Sequence, residues 1–223
     1  MCGRYAQLAK ENPNLPQTWR ELRDLMILLP PRYNLAPTQL SGVIYDPGPG
    51  VTLERLRWGL LPGWAKDVKL GYSTINARIE TVATKPAFRS AFKSRRCIIP
   101  MAGYYEWTVN PGDGKKDPWY IYPEGMLWAA GLWEPPHRLL GEGAPATFTI
   151  ITGGSSGVSA DIHDRMPVTI APDLMEDWLT ASPDDAMKFL LASEPPPMKA
   201  HRVSRRVNTP KNDDPELLEP VAT

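Results

Sequence analysis

Proline punctuates this chain: 25 of its 223 residues are proline. Each one fixes its own φ, removes a backbone donor and disfavours helical geometry in the residue before it. Many fixed turns and short elements are therefore expected, rather than a helical bundle. Residues 2–7 alternate loosely and read as a short strand, and 12–16 as a turn-rich break. Thr18-Trp-Arg-Glu21 fits a capping box. Behind it Trp19, Leu22, Leu25, Met26 and Leu29 keep helical spacing, up to Pro30-Pro31.

Further along, Arg32 to Pro37 reads as a loop. Gly42–Tyr45 and Val51–Trp58 read as strands about the turn Asp46-Pro-Gly-Pro-Gly50, with a phase shift between Leu53 and Leu56 that suggests a bulge. Ile75–Glu80 reads as a strand entering a helix, and Pro86–Phe92 as a short helix. Strands are expected at 96–100, 103–107, 119–122, 127–133, 147–152 (broken by Gly153-Gly154), 166–170 and 203–207. Helices are expected at 156–162, 172–179 and 183–191. There is no βαβ alternation and no fixed-period repeat. The fold class is α+β: a mainly antiparallel or mixed sheet, closed toward a barrel, with short peripheral helices. One domain is expected, with its core over 2–209 and an irregular tail over 210–223.

Lys+Arg and Asp+Glu both number 25, so the chain has no global basic signature for nucleic acid. A basic stretch runs from Arg55 and Arg57 through Arg78, Lys85 and Arg89 to Lys93, Arg95 and Arg96, while acidic residues gather at 173–185 and 213–219. Two cysteines, Cys2 and Cys97, make no disulfide framework. With three scattered histidines they make no metal-ligand spacing, so no metal or cofactor is expected. There is no signal-peptide pattern and no membrane-spanning apolar run. A soluble, monomeric protein of a reducing compartment is expected, cytoplasmic in a bacterium and nucleoid-associated when bound to DNA.

Four segments join turn residues to reactive ones. Removal of Met1 would leave Cys2 with a free α-amine beside its thiol. That aminothiol can condense with an aldehyde and close to a thiazolidine, or act as an N-terminal nucleophile with its amine as base. A small buried cysteine is the plain alternative. Asn76 and Arg78 offer amide and guanidinium donors, or a cap and a salt bridge. Glu106 stands between Tyr105 and Trp107, where a carboxyl set among aromatics would be pushed up toward general acid–base duty, unless it faces outward. His163 precedes Asp164-Arg165 in an expected turn and is either an acid–base group or a plain surface or hydrogen-bonded residue. These alternatives stay open on the residues alone.

Together, six ordered blocks resemble the signature of the SRAP family (SOS-response-associated peptidases, also called abasic-site processing proteins). They are Met-Cys-Gly-Arg-Tyr-Ala, Arg-Tyr-Asn-Leu-Ala-Pro, Arg-Trp-Gly-Leu-Leu-Pro-Gly-Trp, Ile-Asn-Ala-Arg-Ile-Glu-Thr, Arg-Cys-Ile-Ile-Pro-Met-Ala-Gly-Tyr-Tyr-Glu-Trp and Ile-His-Asp-Arg-Met-Pro. A seventh, His201 to Asn208, resembles the family's last block. The resemblance implies a SRAP fold and a covalent crosslink to abasic sites in single-stranded DNA, single/double-strand junctions included. Cys2 would be the crosslinking nucleophile. Asn76 would orient the opened sugar, Glu106 would shuttle protons, and His163 would assist ring opening and reversal. Arg4, Arg78 and Arg165 would lie near phosphates. Asn34, Pro37, Trp64 and Thr152 would line the DNA channel. The family name also implies an N-terminal-nucleophile cysteine peptidase, although with only Met1 before Cys2 an autoproteolytic step is not expected. A non-catalytic single-stranded DNA-binding module is the third reading.

Overall fold

The computed structural model describes residues 2–9 and 14–221. In chain order the strands are β1 (Tyr5–Gln7), β2 (Arg32–Leu35), β3 (Leu40–Tyr45), β4 (Thr52–Trp58), β5 (Asn76–Arg78), β6 (Arg96–Met101), β7 (Gly103–Val109), β8 (Lys116–Pro123), β9 (Leu127–Glu134), β10 (Thr147–Gly154), β11 (Arg165–Pro167) and β12 (Met198–Arg202). The helices are α1 (Arg20–Ile27), α2 (Leu70–Ser73), α3 (Arg89–Ser94), α4 (Met175–Thr180) and α5 (Pro183–Leu191). None is long and apolar enough to cross a membrane among the described residues.

Two sheets form, and one of them closes. β4, β3, β6, β9 and β10 pair antiparallel in that order, and β10 then pairs in parallel with β4. The result is a five-stranded barrel, which leaves no open edge within the ring. Past the end of β4, β5 takes over the same side of β10, with Ile150 opposite Asn76, while β11 pairs antiparallel beyond. The second sheet is open, in the order β12-β8-β7-β1-β2.

Strand alternation sorts the apolar side chains into three layers. Val43, Leu56, Trp58, Cys97, Ile99, Ala129, Phe148 and Ile150 fill the barrel and run on to Cys2, Tyr5, Tyr104 and Ile121 of the open sheet. Ile44, Leu53, Ile98, Ala130 and Ile151 face the other way, against the helices. Tyr105, Tyr120, Val203, Val207 and Leu217 pack on the far side of the open sheet. The barrel is narrow. A Cβ on Gly131 would stand 2.6 Å from the Thr149 carbonyl oxygen and 3.0 Å from Cys97 Sγ.

Several expectations change in the fold. The fold class holds, with two mostly antiparallel sheets and few short helices. The capping box does not form: no side chain caps α1, and the Thr18 hydroxyl bonds Glu176 instead. The 52–58 strand has no bulge, because Leu53 packs outward and Leu56 inward, so both faces of β4 meet a core. Residues 32–35 are a strand rather than a loop, since β1 pairs with them and the Asp213 carboxylate accepts from the Tyr33 and Asn34 amides. Ile75–Glu80 does not enter a helix. Gly153 and Gly154 do not end β10, because Met166 and Arg165 pair with them. The 156–162 helix is only a 3-10 turn at Gly157–Ser159. The last strand is β12, and 205–208 is a 3-10 turn. Past residue 210 the chain carries a further 3-10 turn, Pro215–Leu218, with Leu217 buried. Met1, Asn12 and Pro13 lie outside the described residues.

Two buried polar side chains organise this packing. Arg96, from the basic stretch, is spent inside: its guanidinium donates to Phe92, Trp178 and Leu179 carbonyls at the ends of α3 and α4. Gln7 ties the open sheet to the barrel. Its Nε2 donates to Gly42 O and Pro100 O, both at 2.9 Å, and its Oε1 accepts from Gly42 N at 2.7 Å. Gln7→Leu keeps the volume and strands those groups in the core. It is expected to lower unfolding stability by about 2–4 kcal/mol in urea titrations; an unchanged midpoint would show that the pin is dispensable.

Candidate active site

The seam between barrel and open sheet brings the reactive residues together. β1 lies between β7 and β2, with Tyr5 opposite Tyr104. The Tyr105 amide donates to Arg4 O at 2.9 Å, which carries the antiparallel pairing back toward the N-terminus. This lays Cys2 along the strand that bears Glu106. Alternation puts Tyr104 and Glu106 on the seam face of β7, and Tyr105 and Trp107 on the opposite one. From the barrel side, Asn76 on β5 donates its Nδ2 to Cys2 O at 2.8 Å. The turn leading into β11 presents His163, whose Nε2 lies 3.8 Å from Glu106 Oε2.

The loop between β4 and β5 is stitched down so that Asn76 arrives in place. Trp58 Nε1 donates to Ile75 O, Thr74 Oγ1 donates to Leu60 O, and Leu61 N donates to Thr147 Oγ1. Gly59 sits at φ +116°, where a Cβ would stand 2.6 Å from the Gly71 carbonyl oxygen. That close crossing admits only glycine.

Burial sets the electrostatics. Glu106 is 3% exposed. Desolvation pushes its carboxyl above the usual carboxylate range, and the nearby His163 pulls it part of the way back. Cys2 is fully buried, and its thiol is driven far above the ordinary thiol range, first by desolvation and then by the charge of Glu106. The thiol therefore rests protonated, its Sγ 3.9 Å from Arg4 O. His163 is partly exposed. Its Nδ1 accepts from the Arg165 amide at 3.0 Å, and its Nε2 faces Glu106. Asp164 Oδ1 lies 3.0 Å from Nδ1, out in solvent. The Asn76 Oδ1 atom is buried and accepts no bond among the described residues. No group of three or more His, Cys, Asp or Glu side chains is placed to hold a metal ion among the described residues. A buried carboxyl of raised pKa, a histidine and an amide around a fixed N-terminal segment can move protons at whatever reacts with Cys2.

The remaining expected residues fall into two groups. Arg4 and Asn34 point away from the seam. Arg4 donates to Asn34 Oδ1 at 2.9 Å and to Val207 O at 2.6 Å. The buried Asn34 amide donates to the carbonyls of Val207, Thr209 and Asn212. Both clamp the C-terminal segment against β1 and β2. Pro37 is half-buried, and Thr38 beside it holds a positive φ of 75°. Trp64 is 56% exposed on the 59–75 loop, with Tyr72 exposed on the same loop. Arg78 is exposed on β5, opposite the buried Thr152 of β10. Arg165 makes a two-pronged ion pair with Glu80 and donates to Thr152 O. Sequence reasoning passed over Tyr104 and Ser159, whose hydroxyls meet across the seam at 2.8 Å. The signal for Tyr104 was its i−2 spacing from Glu106; Ser159 had none.

The family model for SOS response associated peptidase (SRAP) matches residues 1–210. The abasic site processing protein YoaM of Bacillus subtilis is 44% identical, with 98% of each chain covered. The abasic site processing protein YedK of Escherichia coli is 32% identical over 99% of this chain and 100% of its own. A solved structure from Bacteroides thetaiotaomicron superposes with a TM-score of 0.76 at 22% identity, covering 99% of this chain and 100% of that one, and so shares the fold. Its family-model match and its identity to full-length relatives place this chain in the SRAP family.

Proposed function

We propose that this protein captures abasic sites in single-stranded DNA as a covalent thiazolidine at Cys2. The relatives at 44% and 32% identity are named abasic site processing proteins. The observation that carries the reading is the convergence of buried Cys2 and Glu106 with half-buried Asn76 and His163 at one seam, contributed by both sheets.

The chemistry follows from the groups present. With Met1 removed, the α-amine of Cys2 adds to the aldehyde carbon of the ring-opened sugar. Loss of water, with a proton supplied by Glu106, leaves an imine. An imine acidifies the neighbouring C–H, so the 3′ phosphate could leave and break the strand. The Cys2 sulfur closes on the imine carbon while its proton passes to the nitrogen, and that exit is removed. His163, with Nε2 turned toward Glu106, assists ring opening and the reverse reaction. Asn76 holds the Cys2 carbonyl and offers its free Oδ1 to the amine or to a sugar hydroxyl. Exposed Trp64 offers a stacking face, worth about 1–3 kcal/mol per base. Arg78, Arg165, Pro37 and Thr152 border the approach, and Arg4 and Asn34 steady the segment that bears Cys2. The protonated thiol fits this order, in which amine attacks first and sulfur second.

Two experiments test the reading. Incubation with an abasic-site oligonucleotide is expected to give a heat-stable shifted band on a denaturing gel for the wild type and none for Cys2→Ser. An undiminished stable band from Cys2→Ser would remove Cys2 from its role. Glu106→Gln keeps the shape and loses the exchangeable proton, and is expected to slow crosslinking by about 10²-fold. Because the folded carboxyl titrates above its ordinary range, its proton-donating form survives above that range and is lost as pH rises through the raised value. The wild-type rate should therefore drop as pH rises through that value, above the ordinary carboxylate range. The α-amine titrates in both proteins, so only the carboxyl part of the profile should flatten in Glu106→Gln. Identical profiles would exclude Glu106 as the proton carrier.

A further inference from the structure

His163 sits on a turn, between the end of β10 and the start of β11, whose place depends on how it is fastened. Within the turn, Ser155 N donates to Asp164 O at 3.1 Å, and Ile162 N and His163 N donate to Ser159 O at 3.1 and 2.9 Å. Ser159 O thus anchors the amide of His163, while the His163 carbonyl accepts from the Ser155 hydroxyl. Across the seam, the Ser159 hydroxyl meets the Tyr104 hydroxyl at 2.8 Å. Both residues are buried, at 1% and 0% exposure. Tyr104 shares the seam face of β7 with Glu106, two residues on. One bond therefore grips the strand carrying the carboxyl at one end and the turn carrying the imidazole at the other.

We propose that the Tyr104–Ser159 hydrogen bond is a positioning lock that sets His163 against Glu106. The proposal deepens the abasic-site reading and rests on it for its kinetic consequence. The two hydroxyls touch neither the carboxyl nor the ring; they act through the turn. The 3.8 Å between His163 Nε2 and Glu106 Oε2 is longer than a hydrogen bond, so a small displacement of the turn decides whether proton transfer is direct. Catalytic groups lose much of their effect when displaced by about an ångström. Burial favours the neutral phenol of Tyr104, and its hydroxyl is held by Ser159, which suits a tether rather than an acid.

Tyr104→Phe and Ser159→Ala each delete one end with little change of volume. Crosslinking to a single-stranded abasic oligonucleotide, followed at saturating DNA, should slow about tenfold in each. The DNA concentration at half-saturation should not change, and the double variant should be no slower than either single one. In a His163→Ala background, Tyr104→Phe should have no further effect. Wild-type rates in both single variants, or an added loss on top of His163→Ala, would overturn the lock. A second measurement needs no reaction. The His163 ring signals in NMR spectra of DNA-free protein, assigned by their absence in His163→Ala, should move in the same direction in both variants. Unmoved signals would overturn the proposal too. Should the wild type form no crosslink, the abasic-site reading falls, and the ring signals still decide the lock.

Discussion

The carboxamide of Gln7 is the joint on which this molecule hangs. It stands in for a peptide unit, donating and accepting at Gly42 as a neighbouring strand would, and reaching Pro100 as well. Much of the remaining contact between barrel and open sheet is made by apolar side chains, which attract without direction. A buried amide that must satisfy named partners fixes one register and penalises others. Tyr5, two residues earlier, adds a second bond across the same seam, donating to Ser41 Oγ at 2.6 Å. Cys2 lies three residues before Tyr5, so the geometry of its backbone is inherited from this joint.

A site at such a seam has the properties that proton transfer needs. Two sheets exclude water, and the dry contact raises the carboxyl of Glu106 and holds the Cys2 thiol protonated. Each sheet contributes groups, so the constellation exists only when the sheets are docked. The far side of the open sheet is secured separately. Arg4, Asn34 and Asp213 fasten the C-terminal segment over β1 and β2, which keeps the N-terminal segment from fraying despite its place at a chain end.

Local chemistry announced part of this. The turn at 46–50, the helix at 183–191 and the alternation around Glu106 were legible because a turn, a Pro-led helix and a strand each leave a short-range mark. The Gly153-Gly154 break and the Leu53–Leu56 bulge were misread for a shared reason. Both depend on what lies opposite: β11 pairs with the glycines, and a second core accepts Leu53. The Thr18 capping box failed likewise, because Glu176 from a distant helix took the hydroxyl.

By itself the sequence determined the ordered reactive blocks, the short proline-bounded elements and the family to which they point. Those are properties of residue identity and near neighbours. Only the tertiary structure decided that Glu106 faces inward, that Asn76 holds the Cys2 carbonyl, and that Arg4 and Asn34 spend their donors on the C-terminal segment. Facing, burial and pairing are set by chain segments tens to hundreds of residues away, and no local pattern encodes which partner will arrive. The same holds for the environment of Cys2: its identity supplies a thiol, and the seam buries, holds and surrounds it.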